Sequence, residues 1–138
     1  MNWYTRTIIK KKIKIKETNK KNRLNSIISQ IAKNIELDDY DYVVIQGDTA
    51  TTFGVALAAF NSKKKIIYVE SGLRTFDFNN PFPEEGYRQM ISRISDIHFC
   101  PTFLSKKNLI SEKIKGKIFV SGNTSLDNLL TYKKDIQY

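Results

Sequence analysis

Two patterns of apolar residues alternate along the chain, one typical of helices and one typical of buried strands. Residues 24–36 carry apolar side chains at helical spacing, which predicts a helix with one apolar face. The positions are Leu24, Ile27, Ile28, Ile31, Ala32 and Ile35. Residues 42–46 (YVVIQ) form a continuous apolar run instead. A run of this length predicts a strand that is buried on both faces.

The alternation of strand and helix continues toward the carboxyl end. The sequence predicts further strands over residues 66–70, 97–100 and 117–121, and helices over residues 50–61, 84–96 and 105–114, with a last helix after residue 122. Successive strands begin about 20 to 30 residues apart. Such spacing is typical of βαβ units, so we predict an α/β fold with a Rossmann-like parallel sheet and flanking helices.

Length and composition restrict the class of protein. The chain has 138 residues, enough for one domain with one core. No run of 18 apolar residues predicts a membrane span, and the first residues lack the apolar stretch of a signal peptide. The single cysteine, Cys100, lies in the predicted strand IHFC and is expected in the core. We therefore expect a cytoplasmic protein.

The positive charge is concentrated at the amino end. Of the net charge of +9, residues 1–23 supply nine basic residues against one acid, whereas residues 24–138 hold 14 basic and 13 acidic residues. We therefore divide the chain into a basic head (residues 1–23) and a balanced domain (residues 24–138). The domain has no charge excess that would attract a polyanion, so we expect neither a nucleic-acid nor a membrane partner. Binding of a nucleic acid or another anionic surface by the basic head stays open as an alternative.

Acidic residues lie at the carboxyl ends of the first two predicted strands: Asp48 follows the first, and Glu70 is the last residue of the second. Ligands of open α/β sheets bind beyond the carboxyl ends of the strands, where Asp48 and Glu70 are expected. Asp48 could cap the helix over residues 50–61 or take part in chemistry. Glu70 is expected to be substantially buried, which is costly without a partner. The burial of the Glu70 carboxylate would be explained either by an ion pair with Arg74 or by a functional role.

A second group of charged residues surrounds the start of the helix that follows Pro83. Glu84 and Glu85 fall in its first turn, where acids complement the helix dipole. Arg88 could bind a carboxylate or phosphate through two parallel hydrogen bonds, or form an ordinary ion pair. His98 lies in a short strand and is expected to be a core residue. The sequence lacks a pair of His or Cys ligands for zinc, both nucleotide-binding glycine fingerprints and the GxSxG elbow.

Five segments occur together: QGDTATT, VESGLRT, PFPEEGYRQ, HFCPT and SGNTSLDNLL. In order and spacing they resemble the non-hydrolysing UDP-N-acetylglucosamine 2-epimerase family over residues 24–132. That family interconverts UDP-N-acetylglucosamine and UDP-N-acetylmannosamine for surface polysaccharides. It has two Rossmann-like domains in a GT-B-like arrangement, with the active site between them, and is typically a homodimer. The resemblance implies that this chain is part of the amino-terminal domain.

The resemblance also implies roles for individual residues. The acids of the family's three motifs correspond to Asp48, Glu70 and Glu84, which become the candidate catalytic residues, with Ser71 in place of the commoner alanine. Asp48, Glu70 and Arg88 are the candidate substrate-binding residues. The family eliminates UDP to give a 2-acetamidoglucal and then adds UDP back, so no metal or redox cofactor is expected. Carboxylates stabilise positive charge at C1 and exchange the C2 proton. Which of the three is the base stays open.

Two parts of the family's pattern are missing from the printed sequence. Residues 1–23 contain no GTRPE-type loop, and no second domain with its UDP-binding residues and histidine follows the last predicted helix. We therefore expect a truncated or split epimerase that works as a homo-oligomer or with a complementary epimerase chain. A sheet without its neighbouring strands is also expected to expose an edge or an apolar face. A non-catalytic module that pairs with a complete epimerase and a hydrolysing 2-epimerase are the alternatives.

Overall fold

A computed structural model describes residues 23–34 and 37–123 of the chain. Four parallel strands form one sheet in the order β1-β2-β3-β4. The strands are β1 (Tyr42–Gln46), β2 (Lys65–Val69), β3 (Ile97–Cys100) and β4 (Lys117–Val120), and the helices are α1 (Arg23–Asn34), α2 (Ala50–Asn61), α3 (Glu84–Ile94) and α4 (Phe103–Ser111). The predicted parallel α/β fold is confirmed. The last predicted helix and residues 1–22 of the head lie outside the described residues.

Several element boundaries differ from the prediction, for local backbone reasons. Strand β2 ends before Glu70 because that residue adopts a left-handed conformation, with φ of 64°. Helix α4 begins two residues earlier than predicted because Thr102 caps it, its hydroxyl accepting a hydrogen bond from the Ser105 N–H at 3.1 Å. Helix α3 ends at Ile94, since Ser95 is extended. Strand β4 ends one residue early, at Val120.

The main core lies between one face of the sheet and the helices. Helix α2 packs on α1, β1 and β2, while α3 packs on α2 and β2. The small residues of α2 allow close packing: a Cβ on Gly54 would meet Ile27 and Ile31 of α1 at 3.1 Å. The rings of Phe53 and Tyr87 stack with centroids 5.0 Å apart. The buried residues of this core are Ile45, Ala56, Ala59, Ile66, Tyr68, Tyr87 and Ile91.

The opposite face of the sheet is less covered. The prediction that β1 is buried on both faces is wrong, because Ile45 is buried whereas Val44 is 65% exposed. Burial alternates in the same way along β2 and β3, since the helices that the structure describes pack on one side of the sheet. The less covered side is called the open face. Its apolar residues are Val44, Ile67, Val69, Ile97, Phe99 and Phe119, and the register places Tyr42, Gln46, Lys65 and Lys117 on the same side.

A smaller core fixes α4 against β3 and β4. Cys100 is buried there with Leu109 and Ile114, which confirms its predicted place in the core. Gly72 lies directly under α4: a Cβ at this position would come within 2.3 Å of the Ser105 carbonyl oxygen, and the φ of Gly72 is +88°. Only glycine fits both conditions. Among the described residues, no helix is long and apolar enough to cross a membrane.

Candidate active site

Asp48 lies in the turn that joins β1 to α2. The prediction that it caps α2 is wrong, because Thr49 is the cap and its hydroxyl accepts from the Thr52 N–H at 3.2 Å. The Asp48 carboxylate instead accepts a hydrogen bond at Oδ2 from Arg88 Nε at 2.7 Å, and Arg88 Nη2 lies 2.6 Å from the same oxygen in an ion pair. The acid is thus held by α3 and lies at the carboxyl edge of the sheet.

Glu70 follows β2 at the same edge. Its φ of 64° is unusual for a residue other than glycine and costs about 1 kcal/mol. Gln46, the last residue of β1, donates to Glu70 Oε1 at 2.8 Å. Glu70 Oε2 lies 3.9 Å from the position that a Cβ on Gly47 would occupy, so it lies beside the turn that carries Asp48. Glu70 is half-buried rather than substantially buried.

Arg74 is not the partner of Glu70, contrary to one of the two explanations offered by the sequence. Its buried guanidinium donates from Nε to Glu112 Oε1 at 2.6 Å and from Nη2 to Ser92 Oγ at 3.0 Å. Glu112 follows α4 and Ser92 belongs to α3. Arg74 therefore fastens the loop after β2 to two helices and acts in the fold rather than in the site.

The adjacent acids Glu84 and Glu85 have different surroundings. Glu85 is fully buried and accepts from the backbone N–H groups of Thr75 at 3.0 Å and Phe76 at 3.3 Å. Gln89 donates to it at 2.9 Å. Burial alone would raise the pKa of Glu85, but the hydrogen bonds from Gln89, Thr75 and Phe76 outweigh it and lower that pKa. Glu85 therefore stays ionised and holds the loop.

Glu84 begins α3 and is half-buried. Within the part of the chain that the structure describes, its carboxylate makes no hydrogen bond or ion pair. It precedes Arg88 by four residues, so both project from the same side of α3. Because Arg88 contacts Asp48, this side of the helix faces the β1–α2 turn.

The structure thus brings the predicted site residues to one edge of the sheet. Asp48 and Glu70 adjoin Gly47, and Arg88 joins Asp48 to Glu85, with Nη1 3.5 Å from Glu85 Oε2. Sequence reasoning assigned Glu85 only to the first helical turn and overlooked Gln46. The position of Gln46 at the end of a strand was a usable signal, whereas the bonds of Glu85 depend on tertiary packing.

Two neighbouring groups complete the electrostatics. Burial, followed by the negative charge of Asp48, raises the pKa of Tyr68, so its phenol stays protonated beneath the cluster. His98 is buried and its Nδ1 lies 2.9 Å from Ser71 Oγ. Burial lowers the pKa of His98, which favours the neutral ring expected of a core histidine. No group of three metal-ligating side chains occurs among the described residues.

The chemistry of the cluster is that of carboxylates at an open sheet edge. One acid is oriented by an arginine, and two others, Glu70 and Glu84, form no ion pair within residues 37–123. Such a set can stabilise developing positive charge and exchange protons.

Comparison with known proteins gives consistent results. A family model described as UDP-N-acetylglucosamine 2-epimerase matches residues 7–138, which includes most of the basic head. The UDP-N-acetylglucosamine 2-epimerase of Bacillus subtilis (strain 168) is 49% identical over 96 residues, covering 69% of this chain and 25% of the relative. The enzyme of the same name from Neisseria meningitidis is 44% identical over 106 residues, covering 76% and 28%.

Solved structures agree with the sequence relatives. The Neisseria meningitidis UDP-GlcNAc 2-epimerase bound to UDP-GlcNAc matches with a TM-score of 0.79 and 39% identity, covering 89% of this chain and 34% of that chain. The Methanocaldococcus jannaschii enzyme in complex with UDP-GlcNAc and UDP matches with a TM-score of 0.79 and 38% identity, covering 88% and 33%. The chain spans about a quarter to a third of these proteins. It belongs to the UDP-N-acetylglucosamine 2-epimerase family.

Proposed function

We propose that this chain supplies the carboxylate part of an active site that interconverts UDP-N-acetylglucosamine and UDP-N-acetylmannosamine for surface polysaccharide synthesis. The observation that carries the proposal is the convergence of Asp48, Glu70 and the Glu84–Arg88 side of α3 at one edge of the sheet. The solved Neisseria and Methanocaldococcus relatives, which hold UDP-GlcNAc, support it. In this proposal residues 24–138 are a partial Rossmann-like domain of a cytoplasmic enzyme.

The proposed reaction assigns different tasks to the three carboxylates. The C1–O bond breaks with loss of the C2 proton, UDP leaves, and UDP then adds back to the glucal after protonation on the other face. Asp48, oriented by Arg88, stabilises the positive charge at C1. Glu70 and Glu84, which form no ion pair in the described part of the chain, are the candidates for proton transfer at C2.

The diphosphate of the substrate requires positive charge from elsewhere. Arg88, the cation of this cluster, is already bonded to Asp48 and lies 3.5 Å from Glu85. Binding energy that lowers the barrier must come from the nucleotide as well as from the sugar. We therefore propose that the working enzyme is an assembly, either a homo-oligomer or this chain with a complementary epimerase chain.

The test follows deuterium at C2 of UDP-N-acetylglucosamine by NMR in heavy water with added UDP. The chain is assayed alone and together with the segments of the Neisseria meningitidis epimerase that flank the matched third. We expect exchange in the assembly, lost in Asp48→Asn and Glu84→Gln and kept in Lys107→Ala, an exposed position on α4. Absence of exchange under both conditions would refute the proposal. Release of free N-acetylmannosamine would indicate hydrolysing chemistry instead.

A further inference from the structure

Gln46 and Glu70 lie at the carboxyl ends of neighbouring strands, and a hydrogen bond joins their side chains. The register pairs Gln46 with Val69, so Glu70 lies one residue beyond the end of the β1–β2 ladder. Gln46 Nε2 donates to Glu70 Oε1 at 2.8 Å. No donor among the described residues binds the second oxygen, Oε2. The two oxygens of this carboxylate therefore have different surroundings.

The backbone conformation of Glu70 accounts for this contact. Side chains alternate between the two faces of a strand, so an extended Glu70 would follow Ile66 and Tyr68 onto the face that the helices cover. Glu70 instead has a left-handed conformation, with φ of 64°, and its carboxylate meets Gln46, which lies on the open face. Residues other than glycine rarely adopt this conformation, and those that do are found preferentially at functional sites.

Hydrogen bonds to the backbone hold both partners in place. Directly after Glu70, the N–H of the buried Ser71 donates to the carbonyl oxygen of Phe99 at 3.0 Å. On the neighbouring strand, the Thr52 hydroxyl donates to the carbonyl oxygen of Gln46 at 2.9 Å. The amide and the carboxylate are therefore attached to fixed parts of the sheet, as the precise placement of a reacting group requires.

Gly47 leaves the second oxygen of Glu70 accessible. A Cβ at this position would lie 3.9 Å from Oε2, so a larger side chain would extend along that oxygen. The φ of Gly47 is +77°, which also favours glycine. Oε2 therefore faces the turn that carries Asp48, with no side chain at position 47 between them.

We infer that Gln46 is a positioning residue of the candidate site: it binds Oε1 of Glu70 and so presents Oε2 to the reacting sugar. The identity of the sugar rests on the proposed function. On one face of the sugar, the C2–H bond breaks and its proton moves to Oε2, while the electron pair of that bond forms the C1–C2 double bond. The C1–O bond breaks and its electron pair leaves with UDP. Glu84 is left to exchange the proton on the other face.

The first experiment observes the hydrogen bond in the full chain, without turnover. Its probe is the side-chain amide resonance of Gln46 in proton–nitrogen NMR spectra, identified by its loss in Gln46→Met. We expect this resonance to shift in Glu70→Ala, which removes the acceptor, and to stay in place in Glu84→Gln, the matched control. Circular dichroism and thermal unfolding check that each variant is folded. A resonance that is unchanged in Glu70→Ala, or that shifts equally in both variants, overturns the inference.

The second experiment follows deuterium exchange at C2 in the assay of the proposed function. Gln46→Met keeps the length of the side chain but lacks the N–H donor. We expect kcat to fall by about tenfold or more and KM to change by less than about twofold, because a misplaced reacting group slows the chemical step rather than weakening binding. Gln46→His offers a ring N–H and should restore most of the rate. Unchanged exchange in Gln46→Met, or a loss confined to KM, contradicts the inference.

A double-mutant cycle shows whether Gln46 acts through Glu70. The carboxylate of Glu70→Asp is one methylene shorter and loses the contact with Gln46, so adding Gln46→Met should lower exchange little further. Losses that multiply would mean that Gln46 acts independently of Glu70, which also overturns the inference.

The inference and the proposed function fail in different ways. If the amide resonance of Gln46 responds to Glu70→Ala but no assembly shows exchange, the orientation of Glu70 stands and the proposed function is refuted. If the wild type shows exchange and Gln46→Met exchanges at the same rate, the proposed function stands and the positioning role of Gln46 is refuted.

Discussion

The loop between β2 and α3 carries Arg74 and helix α3 carries Arg88, and each arginine pairs with a carboxylate at the same closest distance. Arg74 and Glu112 approach to 2.6 Å, as do Arg88 and Asp48. Their exposure differs. The Arg74 side chain is fully buried, whereas those of Arg88 and Asp48 are 17% and 28% exposed. The same type of ion pair thus has two different settings. Arg74 fastens the loop after β2 to two helices, whereas Arg88 orients Asp48 at the carboxyl edge of the sheet.

Burial decides which role a pair can have. A buried guanidinium cannot recover the hydration that it has lost, so its hydrogen bonds must be permanent. A partly exposed pair can exchange one partner for water or for a substrate at small cost. The Arg74 pair therefore supports the loop beside the candidate site, whereas the Arg88 pair lies in the candidate site.

The largest effect is expected for Glu112→Ala, because it leaves the Arg74 guanidinium buried without its counter-ion. The free energy of unfolding should fall by about 3–5 kcal/mol. Urea unfolding followed by circular dichroism measures this loss. Glu112→Gln, which keeps one acceptor for Arg74, is the control and should lose less. A loss below about 1 kcal/mol for Glu112→Ala would contradict the structural role, since exposed pairs contribute that little.

The next largest loss of stability is expected at Glu85. Its carboxylate lies 3.5 Å from Arg88 and binds the backbone of the loop that carries Arg74. Glu85→Gln should cost about 1–3 kcal/mol, because backbone N–H groups of Thr75 and Phe76 lose a charged acceptor. The pKa of Glu85 is lowered from its ordinary value of 4.5. Its contribution is therefore complete above that value and is lost as the pH falls through the lower pKa of the folded state. Urea midpoints measured between acid and neutral pH should fall less steeply with acid in Glu85→Gln than in the wild type.

A smaller loss of stability is expected for Arg88→Ala, about 1 kcal/mol, since the pair with Asp48 is partly exposed. The same variant should lower deuterium exchange in the assembled enzyme by about tenfold or more, because Asp48 loses its orientation. Arg88→Lys keeps the positive charge but lacks the planar guanidinium group that can donate two hydrogen bonds to a carboxylate. It should therefore restore the stability of the fold more fully than the rate of deuterium exchange. If stability and deuterium exchange fell by matching amounts in Arg88→Ala and in Arg88→Lys, Arg88 would act only in supporting the fold.

The smallest effect on stability is expected for Glu84→Gln, within about 0.5 kcal/mol, because its carboxylate makes no bond in the described structure. If Glu84 transfers a proton, exchange should nevertheless fall by about a hundredfold or more. The comparison with Glu85→Gln is direct, since the two positions are adjacent in sequence. A Glu84→Gln variant that is destabilised as much as Glu85→Gln would remove the distinction between the two acids.

The fold class and the edge at which the candidate site lies follow from the amino-acid sequence alone. Alternating apolar runs and helical stripes predict a parallel sheet, and the carboxyl ends of parallel strands meet at one edge. Placing Asp48 and Glu70 together therefore needed only their positions after β1 and β2. The motifs that contain Asp48, Glu70 and Glu84 led to the family, which the comparisons confirm.

The pairing of charges and the exposure of individual apolar residues depend instead on how the helices and strands pack. Arg74 meets Glu112 across 38 residues and Arg88 meets Asp48 across 40, separations at which partners depend on how helices pack. The strand YVVIQ has the composition of a buried strand, yet Val44 is exposed, because the described helices pack on the other face. Local sequence sets the spacing of apolar residues along a helix or strand, whereas the burial of each residue depends on what packs against it.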